Sequence, residues 1–208
     1  MTMSRVLNKN FLWFLSGGGV LNIREDGAWL KVAPEYQAAF DALKLGHYIT
    51  IYANIIRNEE HPKAKAWPMR YLVEYVAAVK KIFPALTIVQ VGSSDEREIP
   101  NVDEKFLGCD LELTKHILAN SLLQVGCEGG LIHLATALGT KCLVFIGMND
   151  WHYVAYAQNI NIVSEVCSPC MYVLKEFECL RGESEPPCML DVTPQLAVDE
   201  TIAYLESL

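Results

Sequence analysis

The sequence predicts an α/β protein built on a doubly wound parallel sheet, and two observations carry this prediction. From residue 47 onward, short apolar segments alternate with longer segments whose apolar residues recur at helical spacing. The short segments are nearly continuous apolar runs, which is typical of parallel strands covered by helices on both faces. Right-handed crossovers between such strands bring their carboxyl ends to one edge of the sheet, where ligands bind.

The predicted elements follow one another closely along the chain. Residues 47–55 (HYITIYANI) are rich in β-branched and aromatic residues and predict the first strand of the sheet. Further strands are expected at 86–92, 121–127, 141–147 and 160–164. Helices are expected at 34–43, 69–83, 113–119, 131–138 and 194–205. This order gives one domain over residues 46–208.

Residues 1–45 are expected to form a short amino-terminal segment or linker. Within it, residues 11–15 predict a strand and residues 16–19 a turn. The apolar patch at 11–15 is too brief for a signal peptide, and no segment of the chain reaches the length of a membrane span. We therefore expect a cytoplasmic protein.

The composition limits the classes of function. Half of the 208 residues are apolar and a fifth are charged, which is enough material for a substantial core. The formal net charge is −8, and no basic patch offsets it, so nucleic-acid binding is not expected. In a reducing compartment the seven cysteines are expected to be thiols or metal ligands before disulfides.

The loop after the predicted strand at 121–127 carries the main candidate site. Glu128, Gly129 and Gly130 stand where a strand ends and a helix begins, and Leu131 and His133 follow in the first helical turn. Free N–H groups at a helix start favour phosphate, and a carboxylate and an imidazole suit sugar hydroxyls. The competing interpretation is a plain tight turn whose glycines serve packing, with His133 a core histidine.

Three further residues are candidates at the same edge of the sheet. Lys65 follows the first strand and could reach phosphates, although a solvated loop lysine is the alternative. Ser94 and Asp95 follow the second strand and could contact a ribose or base, although a turn or helix cap is the alternative. Trp67 is interpreted as a packing residue.

A cluster of cysteines near the carboxyl end predicts a metal site. Cys167 and Cys170 have the spacing of a metal knuckle, and Cys179 and Cys188 could complete a tetrahedral set of thiolates for zinc or iron. Such a closed site would be structural, because no position remains for a substrate. Two disulfides or four unrelated buried thiols are the alternatives.

Three motifs in order resemble glycosyltransferase family 9, the ADP-heptose:lipopolysaccharide heptosyltransferases. The first is the stretch 128–135, EGGLIHLA, which is similar to the family's nucleotide-sugar loop. The second is 65–68, KAWP, which is similar to its Lys-x-Trp-Pro motif. The third is the cysteine-bearing segment that begins with 167–170, CSPC, and precedes Pro194. Together they cover residues 47–208.

The resemblance implies the carboxyl-terminal, donor-binding half of a GT-B fold, whose two domains are both Rossmann-like. It implies a transferase in lipopolysaccharide biosynthesis that binds a nucleoside diphosphate sugar such as ADP-heptose, needs no catalytic metal and associates peripherally with the inner face of the membrane. Two departures from the family pattern are Glu128 in place of Asp and Gly129 in place of Ser or Thr.

The family's acceptor domain, with its catalytic base, has no counterpart in this sequence, so the catalytic residue is left unassigned. That domain is either lost, truncated from this sequence, or supplied by another chain, and an oligomer or a partner chain is expected. The alternatives are a non-catalytic nucleotide-sugar-binding or assembly subunit and another GT-B enzyme of nucleotide sugars, such as an epimerase.

Overall fold

The computed structural model describes residues 30–54, 65–171 and 179–208. They form one all-parallel sheet of six strands in the order β3-β2-β1-β4-β5-β6. The strands are β1 (Tyr48–Ile51), β2 (Thr87–Gly92), β3 (Glu104–Leu107), β4 (Gln124–Cys127), β5 (Cys142–Ile146) and β6 (Ile160–Val163). The predicted strand at 11–15 and turn at 16–19 lie outside the described residues.

Helices cover both faces of this sheet. A 3-10 turn at Pro34–Tyr36 leads into the first of them. The α-helices are α1 (Gln37–Asp41), α2 (Met69–Ile82), α3 (Leu111–Ala119), α4 (Gly130–Ala137), α5 (Trp151–Val154), α6 (Pro187–Asp191) and α7 (Pro194–Leu205). The prediction of a doubly wound parallel sheet is therefore confirmed. None of the helices described here is both long enough and apolar enough to cross a bilayer.

The strand order reverses beside β1. The chain runs from β1 outward through β2 to β3, then returns to place β4 on the other side of β1. The crossovers on the two sides of this point leave in opposite directions, so a crevice opens between the carboxyl ends of β1 and β4. In open α/β sheets, ligands bind in this crevice.

The core has two layers because successive residues of a strand point to opposite faces of the sheet. From β1, Ile49 and Ile51 pack toward α2 and α7, whereas Tyr48 packs toward α3 and α4. The helix α2 begins after Pro68 and buries residues at the i, i+3, i+4 and i+7 positions. Its Tyr75 hydroxyl lies 2.8 Å from the Thr201 hydroxyl of α7, which joins the two helices of this layer.

Residues 34–45, which the sequence assigns to the amino-terminal segment, pack against α3. The ring of Phe40 stacks on that of His116 with a centroid distance of 5.9 Å. The His116 Nε2 lies 2.8 Å from the carbonyl oxygen of Ala33. Leu45 is buried in the same apolar cluster as Tyr48.

The structure adds elements that the sequence patterns did not indicate. The strand β3 lies at the edge of the sheet and begins with exposed Glu104 and Lys105, so it lacks the apolar run of a central strand. The short helices α5 and α6 are only four and five residues long. The strand β1 ends at Ile51 instead of residue 55. The N–H group of Tyr52 still donates to the carbonyl of Val125 on β4, but those of Ala53 and Asn54 donate to the Glu96 carboxylate instead of to a neighbouring strand.

Candidate functional site

The loop predicted to bind phosphate lies at the reversal point of the sheet. Strand β4 ends at Cys127 and helix α4 begins at Gly130, with Gly129 in an extended conformation between them. A Cβ atom added at Gly130 would meet no heavy atom within 4 Å. The space in front of the α4 amino terminus is therefore open, as access of an anion to its N–H groups requires.

Tyr52 closes the floor of this crevice. It follows β1, is buried, and its hydroxyl donates to the carbonyl of Cys127. A Cβ added at Gly126 would lie 2.3 Å from the tyrosine ring, and one at Gly129 would lie 3.1 Å from its hydroxyl oxygen. Gly126 and Gly129 thus make room for Tyr52, whereas Gly130 faces open space. Of the two loop glycines, the packing interpretation therefore applies to Gly129 and not to Gly130.

Lys65 and Glu128, far apart in the sequence, form an ion pair at the mouth of the crevice. The Lys65 Nζ lies 2.6 Å from the Glu128 Oε1, and their side chains are 23% and 7% exposed. The Nδ2 of Asn149, which follows β5, donates to the same carboxylate oxygen. The Asn54 Nδ2 donates to the carbonyl of Lys65 at 2.9 Å, which fixes the backbone that carries the lysine.

His133 lies on the exposed side of α4, one turn from Gly129. Its Nδ1 lies 3.0 Å from the hydroxyl oxygen of Tyr156. Loss of solvation among the surrounding atoms lowers the pKa of His133, and Lys65 acts in the same direction against the opposing effect of Glu128. The imidazole is thus favoured in its neutral form, which can both donate and accept one hydrogen bond. Leu131 packs on the apolar cluster below α4.

The turn after β2 has one buried carboxylate next to the two candidate residues. Ser94 and Asp95 are exposed on the turn, whereas the next residue, Glu96, is buried. Glu96 accepts the backbone N–H groups of Ala53 at 2.6 Å and Asn54 at 2.8 Å. Desolvation raises the pKa of Glu96, and these hydrogen bonds oppose that shift. Glu96 therefore fixes the end of β1 beside the crevice.

Three of the candidate metal-binding cysteines, Cys167, Cys170 and Cys179, are near enough to Cys188 to raise its pKa. All seven cysteines of the chain are free thiols. Burial is the main reason why the pKa of Cys188 is raised to about 12, and the other three sulfurs contribute to the same shift. Over residues 30–54, 65–171 and 179–208, however, no three His, Cys, Asp or Glu side chains are arranged as a metal-binding group.

Several solved structures share this fold. Escherichia coli ADP-heptose lps heptosyltransferase II is 18% identical with a TM-score of 0.60, over 86% of this chain and 54% of that one. The glycosyl transferase family 9 protein of Veillonella parvula is 13% identical with a TM-score of 0.66, over 93% and 58%. The dodecameric iron-containing E. coli heptosyltransferase TibC, in complex with ADP-D-β-D-heptose, is 17% identical with a TM-score of 0.60, over 77% and 46%.

These matches confirm, at the level of the fold, the resemblance to family 9 heptosyltransferases and the Rossmann-like sheet of a GT-B protein. The chain spans about half the length of the proteins it matches. No protein-family model matches the sequence, and neither does any curated protein.

Proposed function

We propose that residues 46–208 bind a nucleoside diphosphate sugar and act as the donor-binding half of a glycosyltransferase. The observation that carries this proposal is the convergence of Lys65, Glu128 and the open amino end of α4 at Gly130, at the reversal point of a family 9-like fold. A cation and free N–H groups suit a diphosphate, and a buried carboxylate suits sugar hydroxyls. His133 and Leu131 border the same site, and Ser94 and Asp95 are proposed to contact the nucleoside.

The donor-binding half would contribute to catalysis by electrostatic stabilisation of the leaving group. When a sugar is transferred, negative charge develops on the departing diphosphate. The Lys65 ammonium and the α4 N–H groups would stabilise that charge without a catalytic metal. Because two of the matched structures are heptosyltransferases, one with ADP-heptose bound, ADP-heptose is the first donor to test.

We expect Lys65 to contribute to the binding of the diphosphate and Glu128 to the binding of the sugar. Lys65→Met should weaken the binding of both ADP and an ADP-sugar by about 10- to 100-fold, because it removes a charged hydrogen-bond donor. Glu128→Gln should bind free ADP as well as or better than the wild type, since the ammonium loses a competing carboxylate. It should also lose most of the preference for the ADP-sugar. Isothermal titration calorimetry measures these affinities.

Lys105→Met is the matched control for this experiment. Lys105 forms an ion pair with Glu98 at 2.9 Å on the edge strand β3, away from the β1–β4 crevice. Its removal should leave both affinities unchanged. Equal nucleotide affinity in the wild type and Lys65→Met would contradict the assignment of Lys65 to the diphosphate.

A structural zinc or iron ion held by Cys167, Cys170, Cys179 and Cys188 is also proposed. The spacing of the four cysteines in the sequence supports it, and TibC, which shares the fold, is iron-containing. Elemental analysis of protein purified without chelator should give about one metal ion per chain, and Cys170→Ser should lower both the metal content and the melting temperature. Metal-free protein, or disulfides mapped among these four cysteines, would contradict this site.

The chain is proposed to work as an oligomer or with another chain, and TibC, which shares the fold, is dodecameric. The second candidate function is a non-catalytic nucleotide-sugar-binding subunit, because the candidate site offers groups for binding a donor and no catalytic base is assigned. The purified chain alone should sediment as an oligomer and transfer no sugar. A monomer that transfers sugar from a nucleotide sugar to an acceptor would contradict this proposal, and donor binding without transfer in any assembly would favour the second candidate.

A further inference from the structure

A cavity of about 490 Å³ lies beside α5, at the carboxyl ends of β5 and β6. Residues 149–152 line one side of it, and Asn161, residues 163–165, Ser168 and Pro169 line the other. Its volume falls within the range of about 300–1,000 Å³ that small-molecule sites occupy. The ligands proposed above do not occupy this cavity, because the diphosphate is assigned to α4 and the metal ion to the four cysteines.

Two stacked aromatic side chains, those of Trp151 and His152, belong to the residues that line the cavity. Trp151 is 46% exposed, and its ring stacks on that of His152 with a centroid distance of 3.8 Å and an interplanar angle of 29°. Asp150 fixes this pair, since its Oδ1 lies 3.0 Å from the His152 Nδ1 and accepts the His152 backbone N–H at 3.1 Å. A fixed, exposed ring beside polar groups offers a flat apolar face to the C–H side of a sugar.

The cavity wall is rich in hydrogen-bond acceptors. The Nδ2 of Asn161 donates to the carbonyls of Tyr156 at 2.9 Å and Asn159 at 3.1 Å, which fixes the orientation of its amide. Its Oδ1 is buried, and no donor in the described part of the chain reaches it. The acidic residues Asp150 and Glu165 are also among the lining residues, and no Lys or Arg is among those described. This lining suits hydroxyl donors and repels phosphate.

One residue connects the cavity with the Lys65–Glu128 pair. Asn149 is among the residues that line the cavity, and its Nδ2 donates to Glu128. We infer that this cavity binds a neutral, polyhydroxylated sugar ring, which stacks on Trp151 and donates hydroxyl hydrogen bonds to Asn161 and Glu165. The inference deepens the proposed function, because that sugar is part of the donor or of the acceptor.

The test compares Trp151→Ala and Trp151→Phe with Leu196→Ala, which truncates a similarly exposed side chain on α7. Calorimetry measures the binding of ADP, GDP, UDP and their hexose and heptose conjugates. Saturation-transfer NMR measures the binding of the corresponding free methyl glycosides. Trp151→Ala should weaken the binding of the sugar-bearing ligands about fivefold and leave that of the free nucleotides unchanged. Trp151→Phe should retain most of the affinity, and Leu196→Ala all of it.

The outcomes separate this inference from the proposed function. If Trp151→Ala loses affinity only for nucleotide sugars, the cavity binds the donor sugar. If it loses affinity only for the free glycosides, the cavity binds the acceptor. If no nucleotide binds but glycosides bind in a Trp151-dependent way, the proposed function fails and the sugar cavity stands. Unchanged sugar affinity in Trp151→Ala overturns the inference. So does a wild-type protein that binds no glycoside and binds no nucleotide sugar better than its free nucleotide.

Discussion

Replacement of Gly130 by valine should abolish nucleotide binding and leave the fold intact. A side chain at this position would enter the open space at the start of α4, because a Cβ there meets no heavy atom within 4 Å beyond its chain neighbours and the backbone of its own helix. It would keep the diphosphate from the free N–H groups, and loss of two such charged hydrogen bonds weakens affinity by at least about 100-fold. Calorimetric titration with nucleoside diphosphates measures the loss.

A second substitution at Gly130 shows whether the loss of nucleotide affinity depends on the size of the side chain. Gly130→Ala adds a smaller group and should reduce the affinity less than valine does. Circular dichroism and thermal melting should show both variants folded, since a Cβ at this position meets no neighbouring heavy atom within 4 Å. Unchanged nucleotide affinity in a folded Gly130→Val protein would rule out the α4 amino end as the diphosphate site.

Trp67→Ala should be the most destabilising of the substitutions considered, lowering the free energy of unfolding by about 3–5 kcal/mol. The side chain is 1% exposed, and its ring lies 4.3 Å from that of Phe145 between centroids. Its Nε1 donates to the carbonyl of Val192 at 2.6 Å, which ties the segment before α2 to that before α7. Urea unfolding followed by circular dichroism measures the change.

Two further variants show whether the loss of stability in Trp67→Ala comes from the burial of the tryptophan side chain. Trp67→Phe keeps most of the apolar volume but leaves the Val192 carbonyl without its donor, and should cost about 2 kcal/mol. Trp151→Ala removes the same side chain from an exposed position and should change stability by no more than about 0.5 kcal/mol. Equal losses in Trp67→Ala and Trp151→Ala would show that Trp67 does not have the packing role assigned to it.

The sequence predicted the elements that bury apolar surface. The central strands are short apolar runs and α2 has a regular apolar stripe, so their periodicity identifies them directly. The predicted helix at 194–205 matches α7 at both ends, because Thr193 caps it and Pro194 begins it. The edge strand β3 escaped prediction because its exposed charged residues carry no such pattern.

The candidate site was predictable in its parts but not in its contacts. Lys65, Glu128 and Gly130 stand after strands or before a helix, and the parallel topology places them at one edge. The ion pair between Lys65 and Glu128, and the donation from Asn149, depend on how separate loops meet in space. Glu96 was overlooked beside Ser94 and Asp95 for the same reason, since only the fold shows which of the three is buried.

Calorimetric titration of the purified chain with ADP, GDP, UDP and their sugars tests directly whether residues 46–208 bind a nucleoside diphosphate sugar. We expect saturable binding of at least one nucleotide sugar at a single site, with affinity that falls in both Lys65→Met and Gly130→Val and persists in Lys105→Met. Absence of binding for every nucleotide and nucleotide sugar, or binding that is the same in the wild type, Lys65→Met and Gly130→Val, would contradict it.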